Sequence, residues 1–455
     1  MKKMWEIRKL LAALLLAALA GCGPAGVEPL GEDEISYLEM SERGGHELVM
    51  WHSMTAGAGA LLEELVAEFN AGPGALLGIS VEAVFQGSYA DSSAQLRALL
   101  NTGNTAGLPD IAQIDATGML DIQASPYLAA AGSFARLDPD FDIGAISRQL
   151  RANIEYRGRL LGMPFAASSN ILFYNADMLR AAGFHEPPST LAEMAAMLPA
   201  LAAGGADGFA LSPATPTVQN WVGQQNGVSF MVDARNGRDG VPTRVVFDED
   251  GTMAVFLREW RALHETGGLR HIEGNTFEEF AAGRVAMMVG SSSNVAAAEA
   301  AIAGRFEMGA AFFPRVNADA AYGSTVGGSS LFMFNKGELS RMWAAWEVLK
   351  FLASPGVQAR WSMGTGYLAA SYLSLEDEGY VRFLDENPNF AVAMRQLEAG
   401  SDELVGLWVP SAFQFFGTLR DGIIAMLERG LTVEETVQSL ADELNRLLDD
   451  FHAAN

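Results

Sequence analysis

The sequence predicts an α/β protein built from more than one domain-sized unit. Strand-like and helix-like segments alternate from His46 onward, the pattern of a doubly wound sheet. A second alternation begins beyond Phe165, and the 455 residues are ordinarily enough for two or three compact units.

In the first unit, Glu47 to Trp51 reads as a strand and Leu61 to Phe69 as a helix with apolar residues at 61, 62, 65, 66 and 69. Ile79 to Phe85 is a strand, Asp91 to Asn101 a helix closed by Gly103, and Asp110 to Asp115 a further strand. Right-handed crossovers put the loops after the strand C-termini on one side, the ligand side. The second unit has a strand at Ile171 to Tyr174, and then Pro187-Pro188-Ser189-Thr190 opens a helix with Thr190 and Glu193 as a capping box. Val285 to Val289 runs strand-like into Ser291-Ser292-Ser293, and the Ala-rich stretch Asn294 to Ala303 reads as the helix behind that loop. Thr432 to Leu448 is an amphipathic helix that starts on a Thr432/Glu435 capping box. Val437, Leu440, Leu444, Leu447 and Leu448 form its core-facing side.

The N-terminal residues predict a lipoprotein leader. Lys2, Lys3, Arg8 and Lys9 precede the apolar run Leu10 to Ala20, which is about half the roughly 20 residues a membrane span needs. Small residues then lead to Cys22 in Leu19-Ala20-Gly21-Cys22. A thioether lipid on that thiol, with an acyl chain on the freed amine, gives the two-chain anchor that one chain does not. Residues 1–21 are thus read as signal peptide and 22–45 as a lipidated tether, rich in Gly, Pro, Glu and Ser. The mature protein is expected on the outer face of the membrane, held to it by lipid alone. Cys22 is the single cysteine, so no disulfide is available and stability must come from core burial.

The formal net charge of -25 makes nucleic acid and anionic lipid poor partners. The six histidines form no His-Glu-x-x-His pair and no cluster at metal spacing. No Gly-x-Ser-x-Gly elbow occurs, and Gly57-Ala58-Gly59-Ala60 lacks the Lys-Ser/Thr of a phosphate loop. Acidic residues are numerous, but nothing singles out a glycosidase pair. The expectation is a protein without catalysis, cofactor or metal.

Several short stretches resemble the family 1 extracellular solute-binding proteins of ABC importers, and most of all their glycerol-3-phosphate-binding branch. They are Trp51-His52-Ser53-Met54; Gly87-Ser88-Tyr89; Thr102-Gly103-Asn104 with Pro109-Asp110-Ile111; Pro164-Phe165 with Ser168 and Leu172-Phe173-Tyr174-Asn175; Gly327-Gly328-Ser329-Ser330-Leu331; and Thr365-Gly366-Tyr367-Leu368. Each alone is weak; in this order, across nearly the whole mature chain and behind a lipobox, they form a joint signal.

The resemblance implies a two-lobe, type II venus-flytrap α/β fold that closes on its ligand. Residues 46–167 and 318–368 would form lobe 1, and 168–317 and 369–455 lobe 2. Hinge crossovers are expected near Pro164 to Asn170, Phe312 to Gly328 and Gly366 to Ala370. It further implies a monomer that hands a small solute to the transmembrane subunits of a permease, with ligand contacts at Tyr89, Asp115, Ser168, Ser291, Gly328 and Tyr367. The chemistry of these residues suits a polyhydroxylated ligand. Asp115 ends a strand and accepts from vicinal hydroxyls, Ser168 and Ser291 donate and accept, Ser291 precedes a helix, Gly328 allows close backbone approach, and the tyrosines offer an apolar face with a polar tip. Core packing, capping and an ordinary turn are the structural alternatives at these positions.

Two departures from the glycerol-phosphate pattern bear on the ligand. Pro213 and Pro216, with Trp221 nearby, stand where that branch presents two tryptophans, and Gly417 stands at its arginine position, leaving Arg420 as the nearest cation. A sugar, polyol or short oligosaccharide is therefore expected ahead of glycerol-3-phosphate or a glycerophosphodiester. A ligand-sensing lipoprotein without transport is the alternative of another class.

Overall fold

The computed structural model describes residues 45–454 except 206, 212–216 and 272–275. The signal peptide, Cys22, the tether up to residue 44, and Pro213 and Pro216 lie outside the described residues.

Twelve strands are described: β1 His46–His52, β2 Ile79–Phe85, β3 Ile111–Asp115, β4 Leu128–Ala129, β5 Glu155–Tyr156, β6 Arg159–Leu160, β7 Met163–Asn175, β8 Asp207–Leu211, β9 Leu269–His271, β10 Val285–Ser291, β11 Met308–Phe312 and β12 Val326–Phe334. Hydrogen bonding joins ten of them in the order β2-β1-β3-β12-β7-β10-β8-β9, with β4 on β12 and β11 on β7, while β5 and β6 pair separately. At one end β1 pairs in parallel with β2 and β3, and at the other β8 pairs in parallel with β9 and β10. Between them run the antiparallel contacts of β12 and β7.

The pivotal strand is β7. Its first half, Met163 to Ser169, pairs with β12, and its second half, from Asn170, pairs with β10 and β11. One strand therefore belongs to both lobes. Its predicted extent, Ile171 to Tyr174, is the second half alone. Pro164 and the run Ser168-Ser169-Asn170 look like loop chemistry in a linear reading, yet Pro164 sits where the β12 register shifts and the serines are buried. Proline in a strand interior requires such an irregularity.

Each lobe has its own core. Leu48, Phe69, Phe134, Trp346 and Trp361 are buried together on the β1–β3 side. On the other side Trp221, Phe256 and Trp260 pack with Leu440 and Leu444 of the C-terminal helix Val433–Ala454, as its apolar stripe predicts, and Leu448 of that helix is buried as well. The Thr432/Glu435 box is complete: Thr432 N donates to Glu435 Oε2 at 2.8 Å and Glu435 N to Thr432 Oγ1 at 3.1 Å. The Thr190/Glu193 box is only half formed. Glu193 N reaches Thr190 Oγ1, but the Glu193 carboxylate accepts from Ser189 N and Oγ at 2.7 and 2.8 Å. The entering chain is bridged to Arg315 at Thr190, which turns the Ser189 N–H toward the helix.

The segment from Leu404 to Val409 joins two helices, Pro388–Ala399 and Ala412–Arg429, yet Trp408 is buried among Ile114, Met119, Ile154 and Tyr156 of the β3 side. Arg238 lies 3.7 Å over the Trp408 ring and donates to Asn153 O at 3.0 Å. The linear pattern held no sign of this connection.

Candidate ligand cleft

Tyr89 opens the helix Tyr89–Thr102, whose Ser88/Asp91 capping box fixes the entry of the chain. Its hydroxyl lies 3.0 Å from Ser329 Oγ, which also accepts from Gln113 Nε2 at 2.8 Å, while Gln113 Oε1 accepts from Ser53 N at 3.0 Å. This buried network aims the phenol into the space between the lobes. Tyr367 follows the helix Pro355–Thr365 through Gly366, whose φ of 77° ends that helix in the left-handed region. The Tyr367 ring stacks on Trp361 at 5.8 Å and 6°, and Trp361 stacks on Phe165 at 4.5 Å. A row of three aromatic rings thus holds Tyr367 upright.

Asp115 closes β3, opposite Ser329 of β12. Desolvation pushes its carboxyl pKa above the usual aspartate range, opposed by the Thr117 hydroxyl, which donates to Oδ1 at 2.7 Å. Burial likewise raises the Tyr89 and Tyr367 phenols, so both are neutral donors at physiological pH. Ser168 lies on β7 and is 6% exposed. Among the described residues its hydroxyl has no protein partner. Ser291 ends β10, and its Oγ lies 2.9 Å from Ser293 Oγ and accepts from Ser293 N at 3.4 Å. It therefore serves as a cap as well as facing the cleft, and the helix behind it begins only at Val295, after a short turn Ser292–Asn294.

Gly328 has φ +80°, and a Cβ there would lie 1.9 Å from Ala166 O. The neighbouring strand, more than any ligand, requires glycine at this position.

All six residues line one cavity of about 480 Å³ between the two core regions. Sequence reasoning missed several of its neighbours. Thr117, Asn170, Gln219, Ser293 and Thr325 contribute polar groups, and Leu211, Val289, Leu407 and Phe416 apolar ones. Gln219 Oε1 accepts from Leu407 N at 2.8 Å, and Asn220 Oδ1 accepts from Thr325 N and Oγ1 at 2.9 and 2.8 Å. The one legible signal was the polar pair Gln219-Asn220 directly before Trp221. Among the described lining residues Asp115 is the one charged group. Trp221 is fully buried in the core, stacked on Phe256 at 5.4 Å and donating to Pro314 O at 3.0 Å; it offers the cleft no surface. Arg420 Nε donates to Asp421 Oδ1 at 2.8 Å, and Arg420 is not among the described residues lining the cavity.

Comparison with known proteins agrees with this architecture. Residues 64–390 match the family of bacterial extracellular solute-binding proteins. The sn-glycerol-3-phosphate-binding periplasmic protein UgpB of Salmonella typhimurium is 27% identical over 369 residues, 76% of this chain and 79% of that protein. Two crystal structures share the fold. UgpB of Mycobacterium tuberculosis in complex with glycerophosphocholine superposes with a TM-score of 0.71 at 22% identity, covering 90% of this chain and 100% of that one. The cyclic alpha-maltosyl-1,6-maltose binding protein of Arthrobacter globiformis does so at 0.75 and 20%, with the same coverage. On the strength of a match across most of its length, this chain belongs to the bacterial extracellular solute-binding proteins.

Proposed function

We propose that this protein is the lipid-anchored binding component of an ABC importer, which captures a neutral polyhydroxylated solute in the cleft and presents it to the permease without altering it. One observation carries the reading of the ligand. Tyr89, Asp115, Ser168, Ser291, Gly328 and Tyr367 line one cavity in which a carboxylate is the single charge among the described residues. Such a site accepts from hydroxyls through Asp115, exchanges hydrogen bonds with them through the serines, and covers a ring face with the tyrosines. A phosphate beside Asp115 would meet like charge with no arginine among the described lining residues. Closure about the segments near residues 164–170, 312–328 and 366–370 would let the ligand bind both lobes at once and shift the open form to the closed one.

The relatives named for glycerol-3-phosphate and the complex with glycerophosphocholine support a second reading, in which the solute carries a phosphate. Calorimetric titration with neutral sugars and polyols on one side, and glycerol-3-phosphate and glycerophosphocholine on the other, separates the two. Saturable binding of a neutral sugar or polyol, recovered unchanged, is expected. Tight glycerol-3-phosphate binding that Arg420→Ala abolishes overturns the preference. Labelling with a radioactive fatty acid tests the anchor: label that persists in Cys22→Ala rejects lipidation there.

A further inference from the structure

The cleft does not end at Thr117 and Ala412. Both residues also line a second, wider chamber of about 730 Å³, which opens outward between the helix Tyr89–Thr102 and the start of the helix Ala412–Arg429. One wall carries Asn101 and the ion pair of Arg97 with Asp121, in which Arg97 Nε donates to Asp121 Oδ1 at 2.9 Å and Nη2 lies 2.9 Å from Oδ2. The facing wall carries Phe413, Gln414 and Phe451. A single exposed apolar residue is ordinary; Phe413 is set apart by its placement. It is 79% exposed, the most exposed aromatic ring among the described residues. It also follows Ser411, which takes a left-handed φ of 50° without being glycine, a conformation that persists only where the surroundings impose it. The result is a bare aromatic face opposite a planar pair that offers both donors and acceptors. A pyranose ring has the matching surfaces, with C–H groups on its faces and hydroxyls around its edge.

We infer that the outer chamber is a second subsite, in which Phe413 stacks on the next ring of a neutral oligosaccharide or glycoside while Arg97, Asp121 and Asn101 bond its hydroxyls. The inference rests on the neutral-solute reading and narrows it to a ligand longer than one ring. Thr117, bonded to Asp115 and lining both chambers, marks the passage between the first ring and the second.

Titration of the full mature chain with glucose, maltose and maltotriose tests this, in the wild type and in Phe413→Ala, Asn101→Ala and Tyr367→Ala. Phe413 and Asn101 are exposed, so their substitution leaves the core intact. Affinity should rise with length. Phe413→Ala should weaken maltose and maltotriose by about tenfold, the loss expected for one aromatic contact face, and leave glucose unchanged; Asn101→Ala should act in the same selective way. Tyr367→Ala should weaken all three. Equal affinity for glucose and maltotriose, or a Phe413→Ala variant that binds maltotriose as the wild type does, overturns the second subsite while the neutral-solute reading stands. If no member of the series binds and glycerol-3-phosphate does, both are overturned.

Discussion

At Asp115 the fold sets a cost against a use. Its carboxyl is pushed up by desolvation, so the native state holds that proton more tightly than the unfolded chain does. Stability therefore falls as pH rises through the raised pKa, and the ionised group is a burden to the empty protein at neutral pH. Asp115→Asn should raise the melting temperature of the ligand-free protein at pH 7, and a lower one contradicts this account. Binding runs the other way, because the acceptor is the carboxylate. Affinity for a polyhydroxylated ligand should weaken as pH falls through a window above the ordinary aspartate value of about 3.9, and calorimetry on Asp115→Asn should show weak, pH-independent binding. Tyr367→Ala removes the end of an aromatic row, and the expected loss of affinity is about 1 to 3 kcal/mol with the fold retained; unchanged affinity would remove Tyr367 from the site. Ser168 and Asp115 were both named from the sequence because the motifs around them resemble the family's ligand-contact positions. Thr117, Gln219 and Ser293 were not named, since their approach to the cavity depends on how distant segments pack.

At the scale of elements, β12 and the C-terminal helix show two kinds of requirement. Gly328 holds a left-handed φ and leaves no room beside Ala166 O. Gly328→Ala should cost about 3 kcal/mol or more, from the backbone conformation together with the overlap. The effect is read as a lower urea midpoint, and a midpoint within error of wild type would show that β12 can shift away. The Thr432 cap is a local device with a smaller worth. Thr432→Ala should lower stability by about 1 kcal/mol without altering ligand affinity, measured by the same unfolding curves together with titration. Capping residues and apolar stripes lie within a few positions of one another, so these helices were legible in advance. β7 was legible only in its second half, Ile171 to Tyr174: the first half is paired with a strand more than a hundred residues away, and its Pro164 and Ser168-Ser169 have loop character.

Over the whole molecule, one strand common to both lobes and the Trp408 contact with the β3-side core determine what closure can move. The residues from Leu404 to Val409 supply Leu407 and Gly406 to the cleft, while Trp408 is held under Arg238 and among β3-side residues. Leu407 and Val409 on either side of it pack in the opposite core, so this part of the wall is held by both lobes and should flex when they close. A saturating ligand should reduce the radius of gyration in small-angle scattering, through contacts made only when the lobes meet. An identical scattering profile with and without bound ligand would exclude closure as the binding step.

The α/β class, the order of most elements, the capped helices and the family motifs were set by the sequence alone, because each rests on residues close together in the chain. Tertiary structure decided what depends on long-range packing. It gathers Tyr89, Asp115, Ser168, Ser291, Gly328 and Tyr367 around one cavity. It makes β7 a strand common to both lobes and buries Trp221 away from the site. It also opens a second chamber in front of Phe413. Chain-local periodicity and capping reach only a few residues, whereas a cleft between lobes is lined from segments that meet only after both cores have formed.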